Sequence, residues 1–346
     1  MRVIIAGGGT GGHLYPGIAI AEKFRNSSID NLFIVSNRGI ERKILNSLGF
    51  KFVEQKEAPL KSVNLIRKIK SIFNLISNVA STMKIIRKGD IVLLLGGFAS
   101  FSAGLIALIK RNKLYIHEQN SVMGLSNRFF SKFAEKVFLS FETNIDDKKY
   151  IMVGNPVRQI FKNAIIKEKP DKHILIIGGS QGSRFLNNLI IPISSKLLGN
   201  GYTIIHQTGE KLYDEVLEYY KKSGISSNNL TVRQYIEDIF ETMQWADLII
   251  SRAGAGAIYE ILYSKRFGIF IPFAGATDNH QEHNAQLPVK KGVGICIKEK
   301  DATPEMLYTE IEKYYNNFES YKERLSKIEF IDSAALIIRE MELGNV

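Results

Sequence analysis

A chain of 346 residues, 45% hydrophobic and 23% charged, reads as an ordinary globular protein, too long for one comfortable core and sized for two domains. Lys and Arg number 46 against 35 Asp and Glu, and the net charge of +11 suits an anionic partner: nucleic acid, a membrane surface or a phosphorylated substrate. Cys296 is the single cysteine, which excludes an intrachain disulfide and fits a reducing compartment.

The chain opens "MRVIIAGGGTGGHLYPGIAIAEKF". Val3, Ile4, Ile5 and Ala6 have the unbroken apolar character of a buried parallel strand, so no secretory leader is expected ahead of them. Residues 7–12 then offer bare backbone except at Thr10, and His13 stands where an amphipathic helix begins. Glycine lets a phosphate approach the main chain, and the helix end supplies free N–H groups and the positive end of its dipole. Either this is an anion site or it is a tight turn without a ligand. Gly7, Gly9 and Gly12 satisfy the dinucleotide fingerprint, but the next strand, residues 32–37, ends without the acid that a ribose needs. No Lys-Ser or Lys-Thr follows, which excludes a Walker loop.

Residues 60–89 mix Leu, Ile and Phe with Lys and Arg and hold no acid. Such a segment either lies on anionic lipid headgroups or forms amphipathic helices packed on the first sheet. The uncharged run 91–109 approaches transmembrane length, but it splits into a strand "IVLLL", a glycine turn "GGFAS" and a helix "FSAGLIALIKR". "HEQN", residues 117–120, follows the strand "KLYI" and either lines a ligand site or caps a helix. In "GNPVR", Arg158 either clamps a phosphate or makes a surface ion pair.

Strands are expected to begin near Arg2, Leu32, Lys51, Ile91, Lys113 and Lys136, and again near His173, Tyr202, Leu230, Asp247, Gly268 and Val293. Both series open alike, "RVIIAGGGTGGH" and "HILIIGGSQGSR". The expected fold is therefore α/β: two Rossmann-like, doubly wound domains whose carboxyl strand edges face a cleft, joined near residues 157–158. In the second series Ser180 can bind a phosphate oxygen. "SRAGAGAIYEIL" brings small residues to a helix start, where Glu260 either accepts from ribose hydroxyls or complements the dipole. His280, Glu282 and His283 in "DNHQEHNA" suggest a metal site, against helix capping and sugar contacts, which we favour. A last helix, "DSAALIIREMEL", needs a surface for Ala335, Leu336, Ile338 and Met341.

"GGGTGGHLYPGIAIAE", "GGFAS", "HEQN", "GNPVR", "GGSQGS", "RAGAGAIYE" and "DNHQEHNA" occur in this order over nearly the whole chain. Together they resemble the MurG family, bacterial N-acetylglucosaminyltransferases that turn lipid I into lipid II. The resemblance implies the two-domain GT-B architecture, with UDP-N-acetylglucosamine held mainly by residues 158–332. It implies that residues 1–157, with a final helix 333–346 crossing back onto them, face the lipid-linked acceptor. Gly9, His13, Gly96 and Gly97 would meet the acceptor diphosphate. Thr10, Gly11, Gly12 and Asn120 would reach the donor sugar, and Arg158 and Ser180 the donor diphosphate. Ile236 would stand where main-chain groups read uracil. Ala255, Gly256, Ala257, Ile258, Tyr259 and Glu260 would underlie diphosphate and ribose, and Gln281 the sugar hydroxyls. Phe98 departs from the family, where tyrosine is common, and Glu282 and His283 stand where its members vary.

No Asp-x-Asp motif is present to hold a divalent ion, so neither metal nor cofactor is expected, and the leaving charge falls to helix N-termini, Ser180 and Arg158. His13 is the first candidate for general base, because imidazole titrates near neutrality; Glu118 is the second. The expected partners are UDP-N-acetylglucosamine, lipid I, the anionic inner leaflet of the cytoplasmic membrane and other cell-wall enzymes. A dehydrogenase leaves the second glycine turn unexplained, and no recognition motif supports nucleic-acid binding. A nearer rival shares the fold: a glycosyltransferase using another lipid acceptor, or an epimerase that hydrolyses the donor.

Overall fold

The computed structural model describes residues 1–8, 11–25, 29–37, 39–57, 65–179, 181–225 and 227–343. The chain divides into two compact units, Met1–Arg158 with Ile331–Val346, and Gln159–Phe330. The division falls one residue beyond the expected join, so Arg158 closes the first unit.

In the first unit the strands are β1 (Arg2–Gly7), β2 (Asp30–Ser36), β3 (Phe52–Gln55), β4 (Ile91–Gly96), β5 (Leu114–Glu118), β6 (Lys136–Leu139) and β7 (Tyr150–Met152). They form one parallel sheet in the order β3-β2-β1-β4-β5-β6-β7. Successive side chains point to opposite faces. Val3, Ile5, Leu93, Leu95 and Tyr115 therefore enter one core, and Ile4, Ala6, Val92, Leu94 and Ile116 the other. Burial on both faces explains the unbroken apolar runs. The reading of the sequence missed β7, a three-residue edge strand only partly buried, whose apolar run is too short to stand out.

The helix Phe98–Lys110 starts three residues earlier than expected, taking in "FAS". Gly97 stands as its N-cap at φ 79°, so the chain turns and enters the helix within one residue. The last helix, Ser333–Glu340, belongs to this unit: Ala334, Ile337, Ile338 and Met341 join the core of Val3 and Ile5. Ion pairs Lys23–Asp332 at 2.5 Å and Lys136–Glu340 at 3.0 Å tie both its ends. Leu336 packs on that core only partly buried, and Ala335 is half-buried.

The second unit holds β8 (His173–Ile177), β9 (Thr203–Gln207), β10 (Leu230–Arg233), β11 (Leu248–Ser251), β12 (Phe267–Phe270) and β13 (Gly294–Cys296), parallel in the order β10-β9-β8-β11-β12-β13. Both sheets reverse their strand order beside their first strand, between β1 and β4 and between β8 and β11. In open α/β sheets ligands bind at the carboxyl ends of the strands at that switch point.

Candidate functional site

In the first unit the carboxyl ends of β1, β4 and β5 bring together Gly8, Gly96, Gly97 and "HEQN". Gly96 and Gly97 end β4 at φ 100° and 79°, values open to glycine and strained for other residues. A Cβ on Gly97 would fall 2.2 Å from the Gly8 carbonyl oxygen, and one on Gly96 would fall 3.2 Å from Cε1 of His13. The helix Gly11–Lys23 carries His13 in its first turn, and Gly12 beside it is exposed. The structure thus brings His13, Gly96 and Gly97 together. Gly9 and Thr10 lie outside the described residues.

His13 is held from β5. Its Nδ1 lies 2.8 Å from Oε1 of Gln119, whose Nε2 lies 3.0 Å from both Nδ1 and the main-chain oxygen of His117. His117 is fully buried, and desolvation pulls its pKa down to about 3, so the ring is neutral. The sequence placed Gln119 in "HEQN" but gave it no role of its own, because that role depends on a partner 106 residues away.

Glu118, next along, is buried and occupied. Its carboxylate accepts from the main-chain N–H of Asn120 and of Gly124, each at 3.0 Å, and from Nδ2 of Asn127 at 2.9 Å. It anchors the loop that presents half-buried Asn120. Another acid, Glu41, was not assigned from the sequence and lies in the same region. It is buried, accepts from Ser36 Oγ at 2.5 Å, and both its carboxylate oxygens lie 3.2 Å from where a Cβ on Gly8 would stand. Its helix, Gly39–Ser47, starts beyond the strand end where an acid was sought.

In the second unit, Cβ atoms on Gly178 and Gly182 would fall 2.5 Å from the Ser183 nitrogen and 2.0 Å from the Thr208 oxygen. This packing forms the turn after β8. Ser180 in it lies outside the described residues. Ser183 caps the helix Arg184–Gly199, accepting from the Leu186 N–H, and also accepts from Nε of Arg252 at 3.0 Å. Arg252, unassigned from sequence, follows β11; it donates to the Ile271 oxygen and pairs with Glu299 at 2.6 Å. Burial pulls its pKa below the ordinary arginine value, and the hydrogen bond to Glu299 opposes that shift.

The helix Ala255–Tyr263 opens after Gly254, which has no side chain to cap it. Its first N–H groups, at Ala255, Gly256 and Ala257, are the ones a helix leaves without internal partners. Ile258 and Tyr259 are buried in the core, so their side chains contribute packing; Glu260, one turn in, is half-buried. Ile236 is also buried, leaving its main chain as its possible contact. Gln281 accepts from the Phe273 N–H at 2.9 Å, which orients its amide. Nδ1 of His280 lies 2.8 Å from the Thr277 oxygen, and Glu282 pairs with Lys298 at 2.5 Å. Among the described residues no group of three or more His, Cys, Asp or Glu is arranged to hold a metal ion. Arg158 is half-buried at the end of the first unit.

Residues 3–139 match the glycosyltransferase family 28 N-terminal domain, and residues 173–341 match the C-terminal domain of that family. A protein of Syntrophus aciditrophicus is 38% identical over 330 residues, 92% of this chain and 90% of the relative. It is named UDP-N-acetylglucosamine--N-acetylmuramyl-(pentapeptide) pyrophosphoryl-undecaprenol N-acetylglucosamine transferase. A protein of the same name from Geotalea uraniireducens is 35% identical, covering 99% of this chain and 98% of its own. Among solved structures, MurG of Acinetobacter baumannii superposes with a TM-score of 0.76 at 25% identity over 99% of both chains. The UDP-GlcNAc 2-epimerase of Methanocaldococcus jannaschii, at 0.61 and 15% identity, shares the fold alone. The chain belongs to glycosyltransferase family 28 and, within it, to the MurG family.

Proposed function

We propose that the chain is an inverting, metal-independent glycosyltransferase. It moves N-acetylglucosamine from UDP-N-acetylglucosamine to the 4-hydroxyl of N-acetylmuramic acid in undecaprenyl-pyrophosphoryl-MurNAc-pentapeptide, converting lipid I to lipid II for peptidoglycan synthesis. The observation that carries this reading is the relationship, over nearly the full length of both chains, to proteins named for that transfer.

The acceptor oxygen must lose its proton as it attacks the anomeric carbon, and the C–O bond electrons must leave with UDP. His13 takes the proton at Nε2, which has no hydrogen-bond partner among the described residues. Glu118 is the weaker candidate: three donors already engage its carboxylate, and its part is to hold the loop of Asn120 against the donor sugar. Charge developing on the leaving diphosphate is met by the uncapped N–H groups of Ala255, Gly256 and Ala257, with Ser180 and Arg158. Glu260 receives ribose hydroxyls, main-chain groups at Ile236 read uracil, and Gln281 meets the sugar. Gly96 and Gly97 leave room for the acceptor diphosphate, and Gly9, Thr10, Gly11 and Gly12 are assigned to contacts with it and with the donor sugar.

A lipid-linked acceptor stays in its bilayer, and we place the enzyme on the cytoplasmic face of the membrane as a peripheral protein. No helix among the described residues is long and apolar enough to cross a membrane. The helix Leu65–Ile85 supports surface attachment, because it packs Val79 and Met83 on the core yet turns other large apolar side chains outward. Ser71, Asn78 and Thr82 are buried, while Ile72, Phe73 and Ile76 are 53%, 67% and 60% exposed. Exposed Lys84, Arg87 and Lys88 follow, suited to anionic headgroups. Lipid II supplies the wall polymerases, so other cell-wall enzymes are natural partners, and cell shape and division depend on the product.

The test is transfer of labelled N-acetylglucosamine from UDP to a short-chain lipid I analogue, with and without EDTA. Equal product in both supports the reading. Loss with EDTA overturns metal independence, and release of UDP without acceptor transfer indicates the epimerase instead.

A further inference from the structure

We infer that Gln119 is a positioning residue that locks His13 in the Nδ1-protonated tautomer, leaving Nε2 as the only basic nitrogen of the ring. The inference rests on the reading of His13 as the base, and it deepens that reading by saying what selects Nε2 as the nitrogen that acts.

The argument starts from groups whose hydrogen-bonding sense is unambiguous. A main-chain carbonyl accepts and never donates. The Gln119 terminus that lies 3.0 Å from the His117 carbonyl oxygen is therefore the NH2 group. Its second hydrogen points to Nδ1 of His117, also at 3.0 Å, so that nitrogen accepts. The proton of the neutral His117 ring then sits on Nε2, which faces Ser140 Oγ at 3.1 Å and the Gly154 carbonyl oxygen at 3.4 Å. Main-chain carbonyls thus fix both ends of the chain of bonds, and neither the amide nor the ring can flip without setting acceptor against acceptor.

The consequence falls on His13. With its NH2 group committed, Gln119 presents Oε1 to Nδ1 of His13 at 2.8 Å. An unprotonated Nδ1 there would oppose two lone pairs, so the proton stays on Nδ1 and Nε2 keeps its lone pair. Gly96, whose absent Cβ would lie 3.2 Å from Cε1 and 3.4 Å from Nδ1 of His13, leaves the ring room in this orientation. A buried carboxylate in place of Gln119 would hold the same tautomer but bring a charge; the amide orients the ring without one. After proton transfer His13 is a cation, and the neutral amide lets it release the proton readily.

The first measurement needs no variant. The full chain carries 6 histidines, so a long-range proton–nitrogen correlation spectrum of histidine-labelled protein is tractable, with His13→Ala identifying the His13 signals. In alkaline buffer the expected result is His13 with Nδ1 protonated and Nε2 bare. A dominant Nε2–H tautomer overturns the inference. The second measurement is Gln119→Met, close in volume and unable to accept the proton. It is expected to give mixed His13 tautomers and a kcat about 10- to 100-fold lower, part of the ~10²–10⁴ that a general base supplies, with the KM for UDP-N-acetylglucosamine unchanged. An unchanged kcat, or a loss carried in KM alone, overturns it. The two ideas separate cleanly: if His13→Ala retains full kcat while wild-type His13 shows the expected tautomer, the base assignment fails and the lock on the ring stands.

Discussion

The main chains of Gly97 and Gly8 touch. A Cβ on Gly97 would lie 2.2 Å from the Gly8 carbonyl oxygen, at a φ of 79°. Two turns far apart in sequence form one surface beside His13, and glycine at 97 is what permits the approach. Gly97→Ala is expected to cost more than the ~1–2 kcal/mol that left-handed geometry alone imposes, and to abolish transfer by displacing residue 8. Gly49 provides the control, since at φ 71° it has nothing within 4 Å of a Cβ. Gly49→Ala should show only the conformational cost and keep its activity. Urea unfolding and turnover of both variants test this, and an active, stable Gly97→Ala would refute it.

Glu118→Gln separates a structural carboxylate from a catalytic one. The carboxylate accepts from three donors, while an amide offers one acceptor and sets an NH2 group against N–H donors. We expect a loss of about 1–3 kcal/mol in stability and a raised KM for the donor sugar. A fall in kcat with stability and KM intact would instead make Glu118 the base.

His117 and His206 make stability depend on pH. Both rings are fully buried, and desolvation holds each pKa at about 3, against 6.5 for the free side chain. Between those values the unfolded chain binds more protons than the folded one, so stability rises with pH. It is fully present above pH 6.5 and is lost as pH falls towards 3, by about 1.4 kcal/mol per pH unit for each histidine. His206 belongs to the second unit, paired with Tyr220 at 2.9 Å and Asn187 at 3.1 Å, so both units should weaken together. Denaturant midpoints measured from neutral to mildly acid buffer check the slope, and a flat profile would refute it.

Phe73 and Ile76 are exposed on the helix Leu65–Ile85. Phe73→Asp with Ile76→Asp is expected to weaken binding to phosphatidylglycerol vesicles while turnover on a soluble, short-chain acceptor stays within twofold of the parent, about the ±0.5 kcal/mol typical of surface changes. Sedimentation with vesicles at low and high salt measures it. Undiminished binding would move the membrane contact elsewhere on the chain.

The strand–helix alternation and the two glycine turns were legible along the chain, because these are local constraints. A strand buried on both faces must be apolar throughout, and a turn that meets another backbone must lack side chains. The same local signals mark the turn of Gly96 and Gly97 and the helix start at Ala255, and the structure sets Gly96 beside His13. Tertiary structure decided the division of labour within "HEQN". Alternation along β5 buries His117 on one face and sends Glu118 to the other, while Gln119 finds a partner 106 residues away. The same holds for the helix Leu65–Ile85, where packing chose the polar side chains Ser71, Asn78 and Thr82 for burial and left Phe73 outside. Periodicity marks which residues share a face, but which face meets the protein depends on the partner: here Gln55 donates to Thr82 and Asn78 bonds both main-chain groups of Lys56. Pairings between distant residues carry no local signature, which is why the role of Gln119 emerged only from the folded chain.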